Sequence, residues 1–560
     1  MSKLQICMIH GYQLTGTGSN IFVNNLVRNF CRLGHEVFLF CQEKNPGSMD
    51  FISQYSVFEP GNREYRTLMS RETPYAGKCT LFNPEIKGLL PVYVYDEYEG
   101  FTVKTFLKMK VGEIEDYIHR NVKAVETVYL ENKFDLIQTN HVIMSPYIAR
   151  VMWKMYDIPY YVTLHGSALN FSVRNDMRLR PYATKALLGA TKIFAVSNHN
   201  RLEAITFFKR IASRIEQKFT VIPAGVDTDL FHILEDSKQK SIGELQSILA
   251  ERLKLLPNGK TPEQKRRFIG QLEETSSVDE VDALVTKHNA EYSQGHPDRD
   301  IIGTLGRIDW KKSWVLLFVG KYLWTKGIQM VISALPIVLD AVPDLQLLLV
   351  GFGSYREELE ALVYSLGSGR RELFRYLIEK SISQMQPGNE PCVERPFKFL
   401  DALARRNQVK SYFDSAEQND ISRHVHFLGA LSHSELGRLL PCADGFVAAS
   451  VCPEAFGMVS IEALACGVLP IISNQTGFKE IVDLVSGSVY EVNNSPRVNI
   501  DEDMIFNIAE NIIQNIEGGN LRNPALKQKF RQLTVDHFSW ESIAETYVSN
   551  YTQEGVKEKP

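Results

Sequence analysis

Residues 447–467 read VAASVCPEAFGMVSIEALACG, and this stretch decides how the chain folds. The small apolar residues leading to Ser450 predict the end of a buried strand, and the residues after Gly457 have the composition of a helix. Gly467, with Pro470 beyond it, predicts that the helix ends at Gly467 in a left-handed cap. Strand, loop and helix in this order form the repeating unit of an α/β fold.

Two glutamates flank the start of this predicted helix. Glu454 lies in the loop before the helix, and Glu462 lies inside it. The helix N-terminus between them has unpaired N–H groups and a partial positive charge, so it is suited to bind an anion. A nucleotide sugar fits such an arrangement, with its ribose on one carboxylate, its diphosphate on the helix and its sugar hydroxyls on the other carboxylate.

The segment from Pro453 to Gly467 resembles the E-x7-E signature of the retaining glycosyltransferases of family 4, whose pattern is E-G/A-F-G-x-x-x-x-E-A-x-A-x-G-x-P. Three further motifs resemble the family: T-x-H-G at 163–166, the paired cations of G-R…K-G at 320–327, and V-G-x-G at 350–353. The resemblance extends over residues 1–44, 130–232, 314–364 and 421–550.

The resemblance implies an α/β fold of two Rossmann-like, doubly wound parallel-sheet domains that face a cleft (the GT-B arrangement), with two helical insertions. The implied domains are an acceptor-side domain at 1–234, a charged helical insertion at 235–305, a nucleotide-sugar domain at 306–530 with a helical insertion at about 365–420, and a terminal helix at 531–560 that crosses back to the first domain. Residues 45–100, rich in Tyr, Pro and Gly, predict mainly loops.

The resemblance also assigns roles to individual residues. Of the two residues implied to be catalytic, His165 lies near the anomeric carbon and Glu454 holds the hydroxyls of the donor sugar. His141 is a further candidate on the acceptor side. The remaining donor-binding residues are Gly16, Thr17 and Gly18 in a closing loop, Lys321 and Lys326 on the diphosphate, Gly353 near the base, Phe456, Gly457, Met458 and Val459 around the helix N-terminus, and Glu462 on the ribose.

The implied reaction moves a sugar from a UDP-, GDP- or ADP-linked donor to a hydroxyl of a carbohydrate or lipid-linked acceptor, with retention and an α-glycosidic bond. We expect neither metal nor cofactor, because Lys321, Lys326 and the helix N-terminus can neutralise the departing diphosphate. Two alternatives stay open. One is a glycoside hydrolase or phosphorylase that uses Glu454 and Glu462 as an acid–nucleophile pair, and the other is a non-catalytic nucleotide-sugar-binding module.

Composition narrows the choice of partners and compartment. The 560 residues carry a net charge of -4, which argues against a protein that coats nucleic acid. Scattered cysteines without C-x-x-C, and the lack of a signal peptide or a long apolar run, predict a cytoplasmic protein. Residues 171–220 hold ten Lys/Arg against three Asp/Glu, which predicts contact with a membrane surface or a phosphorylated acceptor or, alternatively, a solvated basic face.

Overall fold

The computed structural model describes residues 3–16, 18–93, 98, 100–383, 398–489, 491 and 496–553. The chain divides into two compact units, Met1–Gly225 with Phe538–Pro560 and Val226–His537. Each unit has its own sheet of mainly parallel strands with helices packed on it. The predicted fold class, two parallel-sheet α/β domains, is therefore confirmed.

The first unit begins with the elements of its sheet and the helices that connect them. In chain order these are β1 Gln5–Ile9, α1 Gly18–Arg32, β2 Glu36–Phe40, β3 Ile52–Phe58, β4 Tyr65–Ser70, β5 Lys78–Asn83, β6 Leu89–Val92, β7 Thr102–Thr105, α2 Val111–Asn132, β8 Leu136–Asn140, α3 Ser145–Tyr156, β9 Tyr160–Leu164, α4 Arg180–Gly189, β10 Lys192–Ala195, α5 Asn198–Phe207, α6 Ala212–Ile215 and β11 Phe219–Val221.

The main sheet of this unit has nine strands in the order β11-β10-β9-β8-β1-β2-β5-β3-β4. Every neighbouring pair is parallel except the pair of β3 and β4, which is antiparallel. The central strands β8 and β9 are buried along their whole length, as expected for strands covered by helices on both faces. Their carboxyl ends therefore meet at one edge of the sheet, where ligands bind in open α/β folds.

Residues 45–100 are loop-rich as predicted, but the prediction missed four strands in this region. This region contributes β3, β4 and β5 to the main sheet, and β6 pairs with β7 in a separate two-stranded sheet. β3 reads ISQYSVF, in which apolar and polar residues mix, and β4 is largely exposed. Strands at the margin of a sheet lack the continuous apolar run of its centre, so the many Tyr, Pro and Gly residues obscured the pattern.

The second unit starts with four helices and then alternates strands and helices. Its elements are α7 Lys238–Leu255, α8 Pro262–Glu273, α9 Val278–Asn289, α10 Ile301–Arg307, β12 Trp314–Val319, α11 Ile328–Ala341, β13 Leu345–Val350, α12 Arg356–Gly367, α13 Arg371–Ser383, α14 Phe399–Arg405, α15 Val409–Gln418, β14 Val425–Gly429, α16 His433–Leu439, β15 Gly445–Ala448, α17 Met458–Ala465, β16 Leu469–Ser473, α18 Thr476–Ser488, β17 Arg497–Val498, α19 Met504–Glu517 and α20 Pro524–Phe538.

The second sheet is parallel throughout, in the order β14-β13-β12-β15-β16-β17. The chain returns to the first unit with α21, Trp540–Gln553. There the Tyr551 hydroxyl donates to Gln138 Oε1 at 2.9 Å, and the Trp540 and Phe22 rings pack with their centroids 5.1 Å apart. These contacts fix the last described helix against the central strands and against α1.

The region predicted as the first insertion, 235–305, contains α7 to α10. Part of the second, 384–397, lies outside the described residues. A buried ion network holds the first insertion to α12. Lys260 Nζ lies 2.8 Å from Glu357 and 2.7 Å from Glu360, and Arg356 forms two 2.7 Å hydrogen bonds with Asp298. All five side chains are buried, so ion pairs that are shielded from water join the insertion to the sheet domain.

Candidate donor site and histidine cluster

The helix that follows Glu454 has the two ends that the sequence predicts. α17 runs from Met458 to Ala465, with Gly457 as its N-cap at a φ of 100°. At its end Gly467 has a φ of 71°, and the Gly467 and Val468 N–H groups donate back to Leu464 and Ala463 at 2.9 Å each. This pair of bonds is the Schellman motif, so the predicted left-handed glycine cap is confirmed.

We expect Gly457→Ala to destabilise the fold by about 2 kcal/mol. A Cβ at this left-handed position would overlap the Phe478 ring, so backbone strain and overpacking add. Gly487→Ala is the matched control, because Gly487 lies in α18 with nothing within 4 Å of a new Cβ. The control should be neutral or slightly stabilising in urea unfolding. Equal midpoints for the two variants would contradict the assigned packing.

An ion pair joins the loop after β12 to the loop after β15. Lys326 Nζ lies 2.6 Å from Glu454 Oε1, and the Ser450 hydroxyl donates to the same oxygen at 2.6 Å. The backbone brings the loops together, since a Cβ at Gly327 would overlap the Ala449 carbonyl. Two residues separated by 128 positions in the chain thus meet at the carboxyl edge of the sheet.

The surroundings of this ion pair suit a polyanion. α11 and α17 begin after Gly327 and Gly457, both left-handed, and each helix presents unpaired N–H groups at its start. The Lys326 side chain is 33% exposed. An ammonium group has three donors, so Lys326 can hold Glu454 and still donate to a bound anion.

Two residues that the sequence analysis did not assign brace Glu454. The Glu454 N–H donates to the Thr476 hydroxyl at 2.9 Å, and the Gly477 N–H donates to the Glu454 carbonyl at 2.9 Å. Thr476 has a φ of 49°, a conformation that normally favours glycine. The threonine at this position adds the hydroxyl acceptor that glycine would lack.

Glu462 is buried within the same helix. Glu462 is 3% exposed, and its Oε2 atom has no hydrogen-bond partner among the described residues. Burial raises the pKa of this carboxyl above its usual range. A buried polar atom without a partner is uncommon and calls for an explanation, and ligand hydroxyl groups would supply the missing hydrogen bonds.

The remaining predicted donor residues divide between two loops. Phe456 is buried beside Gly477, and Met458 and Val459 are half-buried in the first turn of α17. Lys321 lies over the Phe352 ring at 5.4 Å, in the loops after β12 and β13. Gly353 lies in the loop after β13, and the Tyr322 backbone packs so closely against it that a Cβ would overlap the Tyr322 carbonyl. The structure therefore groups Lys326, Glu454 and the start of α17 and sets Lys321 with the loop after β13.

In the first unit, three histidines gather where β1, β8 and β9 end. His165 Nε2 lies 2.9 Å from Asn140 Oδ1, and its ring is 4.9 Å from that of His141. The sequence analysis missed His10. Its ring centroid lies 6.4 Å from that of His141, and its Nε2 lies 3.0 Å from Asn20 Oδ1. Its position directly after the first strand was the available signal. In the predicted closing loop Gly16 has a φ of 94° and Gly18 begins α1, whereas Thr17 lies outside the described residues.

Burial keeps all three imidazoles neutral at pH 7. It lowers the pKa of His165 to about 3, with a smaller contribution from His10. It lowers the pKa of His10 to about 4, although the Asn20 hydrogen bond raises it, and it lowers the pKa of His141 well below its usual value. Neither His141 nitrogen has a partner among the described residues. The cluster can therefore accept or donate hydrogen bonds as neutral rings, but it carries no positive charge for an anionic ligand.

The cluster should make the protein lose stability in mild acid. Below pH 6.5 the unfolded chain binds protons that the buried histidines of the folded chain do not bind. Each of His10 and His165 should therefore lower the free energy of unfolding by about 1.4 kcal/mol at pH 5.5. We expect unfolding free energies measured at pH 7.5 and 5.5 to show this loss and His141→Phe to reduce it. His119→Asn, at an exposed position, is the control. A loss that His119→Asn reduces as much as His141→Phe would contradict the assignment.

In the described part of the chain, no group of three or more His, Cys, Asp or Glu side chains is arranged to hold a metal ion. A search of the same residues for membrane spans finds no helix with the length and apolar character to cross a bilayer.

Comparison with known proteins identifies the family. The family model for glycosyl transferases group 1 matches residues 306–374 and 405–499, and that for Glycosyltransferase Family 4 matches residues 93–230. An uncharacterized glycosyltransferase of Methanocaldococcus jannaschii is 23% identical over 237 residues, which cover 42% of this chain and 44% of that protein. Spore coat protein SA of Bacillus subtilis is 24% identical over 286 residues, which cover 51% of this chain and 60% of that protein. The matches thus span about half the length of these relatives.

Solved structures share the fold over nearly the whole chain. Sucrose-phosphate synthase from Thermosynechococcus elongatus superposes with a TM-score of 0.54 at 16% identity and covers 98% of this chain and 99% of its own. Anabaena HepE in complex with UDP-glucose gives a TM-score of 0.51 at 13% identity over 98% of this chain and 100% of its own. The E. coli trehalose-6-phosphate structure with UDP-2-fluoro glucose gives a TM-score of 0.52 at 9% identity over 98% of this chain and 99% of its own. These structures show the fold alone, whereas the two family-model matches show that the chain belongs to the group 1 and family 4 glycosyltransferases.

Proposed function

We propose that the protein transfers a sugar from a nucleotide-diphosphate sugar to an acceptor hydroxyl, with retention and an α-glycosidic bond. The observation that carries the proposal is the Lys326–Glu454 ion pair at the N-terminus of α17. It brings a cation and a carboxylate together from the loops that lead into α11 and α17, and a sugar diphosphate is bound by cations, carboxylates and helix N–H groups.

Each part of the donor has a proposed partner in the second unit. The diphosphate binds Lys326 and the first turn of α17, and Lys321 supplies a second positive charge. The ribose hydroxyls bind Glu462, whose Oε2 lacks a partner among the described residues. The sugar hydroxyls bind Glu454, and the base lies near Gly353. In the first unit His165 takes the catalytic role beside the anomeric carbon.

The departing diphosphate carries most of the developing charge, and preorganised donors stabilise such charge strongly. Lys326 and the two helix N-termini provide that stabilisation from the protein itself, so we propose that turnover requires neither metal nor cofactor. Anabaena HepE was solved with UDP-glucose, which supports testing a UDP-linked donor first. GDP- and ADP-linked donors remain in the proposal, as do carbohydrate and lipid-linked acceptors. A cytoplasmic location stays a prediction.

The bonding of Glu454 favours this function over glycoside hydrolysis. A hydrolase needs two carboxyl groups that face each other across the scissile bond, one as acid and one as nucleophile or base. Here Glu454 is held by Lys326 and Ser450, and Glu462 lies within the helix that Glu454 precedes. A positive helix end between the two glutamates is better matched to a phosphate than to that pair of roles.

Nucleotide binding tests the proposal directly. Unfolding should be measured with UDP, GDP or ADP, each with Mg²⁺ or with a chelator. At about a hundred times its dissociation constant, one nucleotide should stabilise the protein by about 2.7 kcal/mol, and the chelator should not remove the effect. Lys326→Ala should weaken the response. No response to any of the three nucleotides would contradict the proposal, and a response that disappears with chelator would contradict its metal independence.

A further inference from the structure

Four large apolar side chains of the first unit are exposed to solvent near one another in the fold. Leu107 is 38% exposed, Val111 47%, Phe171 50% and Met177 75%. Single exposed apolar residues are ordinary on protein surfaces, but a group of them marks a place of interaction.

Hydrogen bonds show that the segments carrying these side chains form one surface. Arg178 donates to the carbonyls of Leu107 at 3.1 Å and Met109 at 2.9 Å, which holds the loop at Met177 against residues 107–109. The Asn175 amide donates to the carbonyl of Asn170 at 3.1 Å, next to Phe171. We call residues 107–111, Phe171, Met177 and Arg178 the 107/177 surface.

Cations surround the apolar side chains of this surface. Lys108 and Lys110 are exposed, as is much of the Arg178 side chain. Two neighbouring carboxylates are bonded to cations, Asp176 to Arg178 at 2.6 Å and Glu113 to Lys104 at 2.8 Å. Apolar side chains among lysines and arginines complement a bilayer with anionic headgroups, because the apolar groups enter the interface while the cations stay at the phosphates.

We propose that the 107/177 surface binds the anionic headgroup layer of a lipid membrane. A lipid surface fits better than a protein partner, because protein interfaces are depleted in lysine and bury a much larger area around an apolar centre. Four apolar side chains from three segments are enough to enter a bilayer interface when cations add to the attraction.

The structure also revises which residues of the basic region 171–220 reach outward. Phe208 is buried, and the Phe207 ring lies under the guanidinium groups of Arg174 at 5.4 Å and Arg180 at 5.3 Å. This aromatic pair is therefore not part of the 107/177 surface. Phe171 and Met177 from the basic region, joined by Leu107 and Val111 from outside it, provide the apolar contact instead.

The 107/177 surface adjoins the histidine cluster from two directions. On one side, the turn that carries Phe171 continues from Gly166, whose carbonyl accepts the Asn170 N–H at 3.0 Å. On the other side, Phe106 stacks on Tyr93 at 5.3 Å, and the Tyr93 ring lies 4.4 Å from that of His141. If the proposed function holds, a membrane-borne acceptor would be presented beside His165.

Vesicle co-sedimentation of the full chain tests the surface, with phosphatidylcholine vesicles that contain about one-third phosphatidylserine or none. The protein should sediment with the anionic vesicles, less so at high salt, and not with the neutral ones. Met177→Asp should lower the partition coefficient at least about tenfold. Lys108→Glu with Lys110→Glu should lower it at least about 25-fold, since each of the two cations near the surface accounts for about fivefold.

Met155→Asp and Lys154→Glu are the matched controls. Met155 is 48% exposed and lies in the last turn of α3, at the opposite edge of the sheet from His165. Both controls should bind vesicles as the unchanged chain does. Absence of vesicle binding, or equal losses in Met177→Asp and Met155→Asp, would overturn the proposal. Nucleotide stabilisation is read separately, so a protein that responds to UDP but ignores vesicles would contradict the 107/177 surface and leave the proposed function standing.

Discussion

Lys326→Ala should lower kcat/KM for sugar transfer by about two to three orders of magnitude. The Lys326 ammonium lies 2.6 Å from Glu454, and the two residues belong to the loops that lead into α11 and α17, where we propose that the leaving diphosphate gains negative charge. A preorganised donor at such a point is worth about 2.7–4 kcal/mol of transition-state stabilisation. The measurement is the initial rate of nucleoside diphosphate release from the donor at several donor concentrations.

Two further variants make this result specific. Lys326→Arg keeps the positive charge and should retain more activity than Lys326→Ala, although the geometry of a guanidinium differs from that of an ammonium. Lys479→Ala removes an exposed lysine that pairs with Asp483 in α18, and it should leave the rate unchanged. A Lys326→Ala protein that is folded and within about threefold of the unchanged rate would show that Lys326 does not act on the diphosphate.

Lys260→Ala should destabilise the second unit by about 3–5 kcal/mol. Lys260 is 1% exposed and neutralises Glu357 and Glu360, which are equally enclosed. Removing one partner of a buried pair leaves uncompensated charge in a region that excludes water. Urea unfolding measures the loss, and because the network joins the 235–305 insertion to α12, the helices of that insertion should become accessible to protease first.

Lys254→Ala provides the control for this prediction. Lys254 also bonds a glutamate, Glu251 at 2.6 Å, but both side chains are more than two-thirds exposed. Exposed pairs are screened by solvent, so the stability should change by no more than about 0.5 kcal/mol. If the two alanine variants unfold at the same urea concentration, the network around Lys260 is not the anchor that its burial and distances indicate.

The parts of the site that are local in sequence could be predicted. α17, its left-handed Gly467 cap and the positions of Glu454 and Glu462 about its start depend on residues within one short stretch, so the pattern of 447–467 was sufficient. The capping box that begins α8 is predictable for the same reason, because Thr261 and Gln264 form it within four consecutive residues.

Features that depend on distant residues could not be predicted. The bond between Lys326 and Glu454 depends on the close approach of Gly327 to Ala449, which no periodicity reveals. Strands β3 and β4, at one margin of the first sheet, could not be predicted because they lack the continuous apolar run of a central strand. The position of the half-buried Phe207 ring under two arginines could not be predicted either, since a basic sequence has the same composition whether its aromatic residues face solvent or the interior.

The anomer formed from the donor tests the central claim most directly. In the absence of acceptor, slow hydrolysis of the nucleotide sugar that stabilises the protein can be followed by proton NMR. The coupling constant of the anomeric proton identifies the sugar that is released first. Retention predicts that an α-linked donor first yields the α-anomer, and that Lys326→Ala slows its appearance. First release of the β-anomer, or hydrolysis indifferent to Lys326, would contradict retaining transfer at this site.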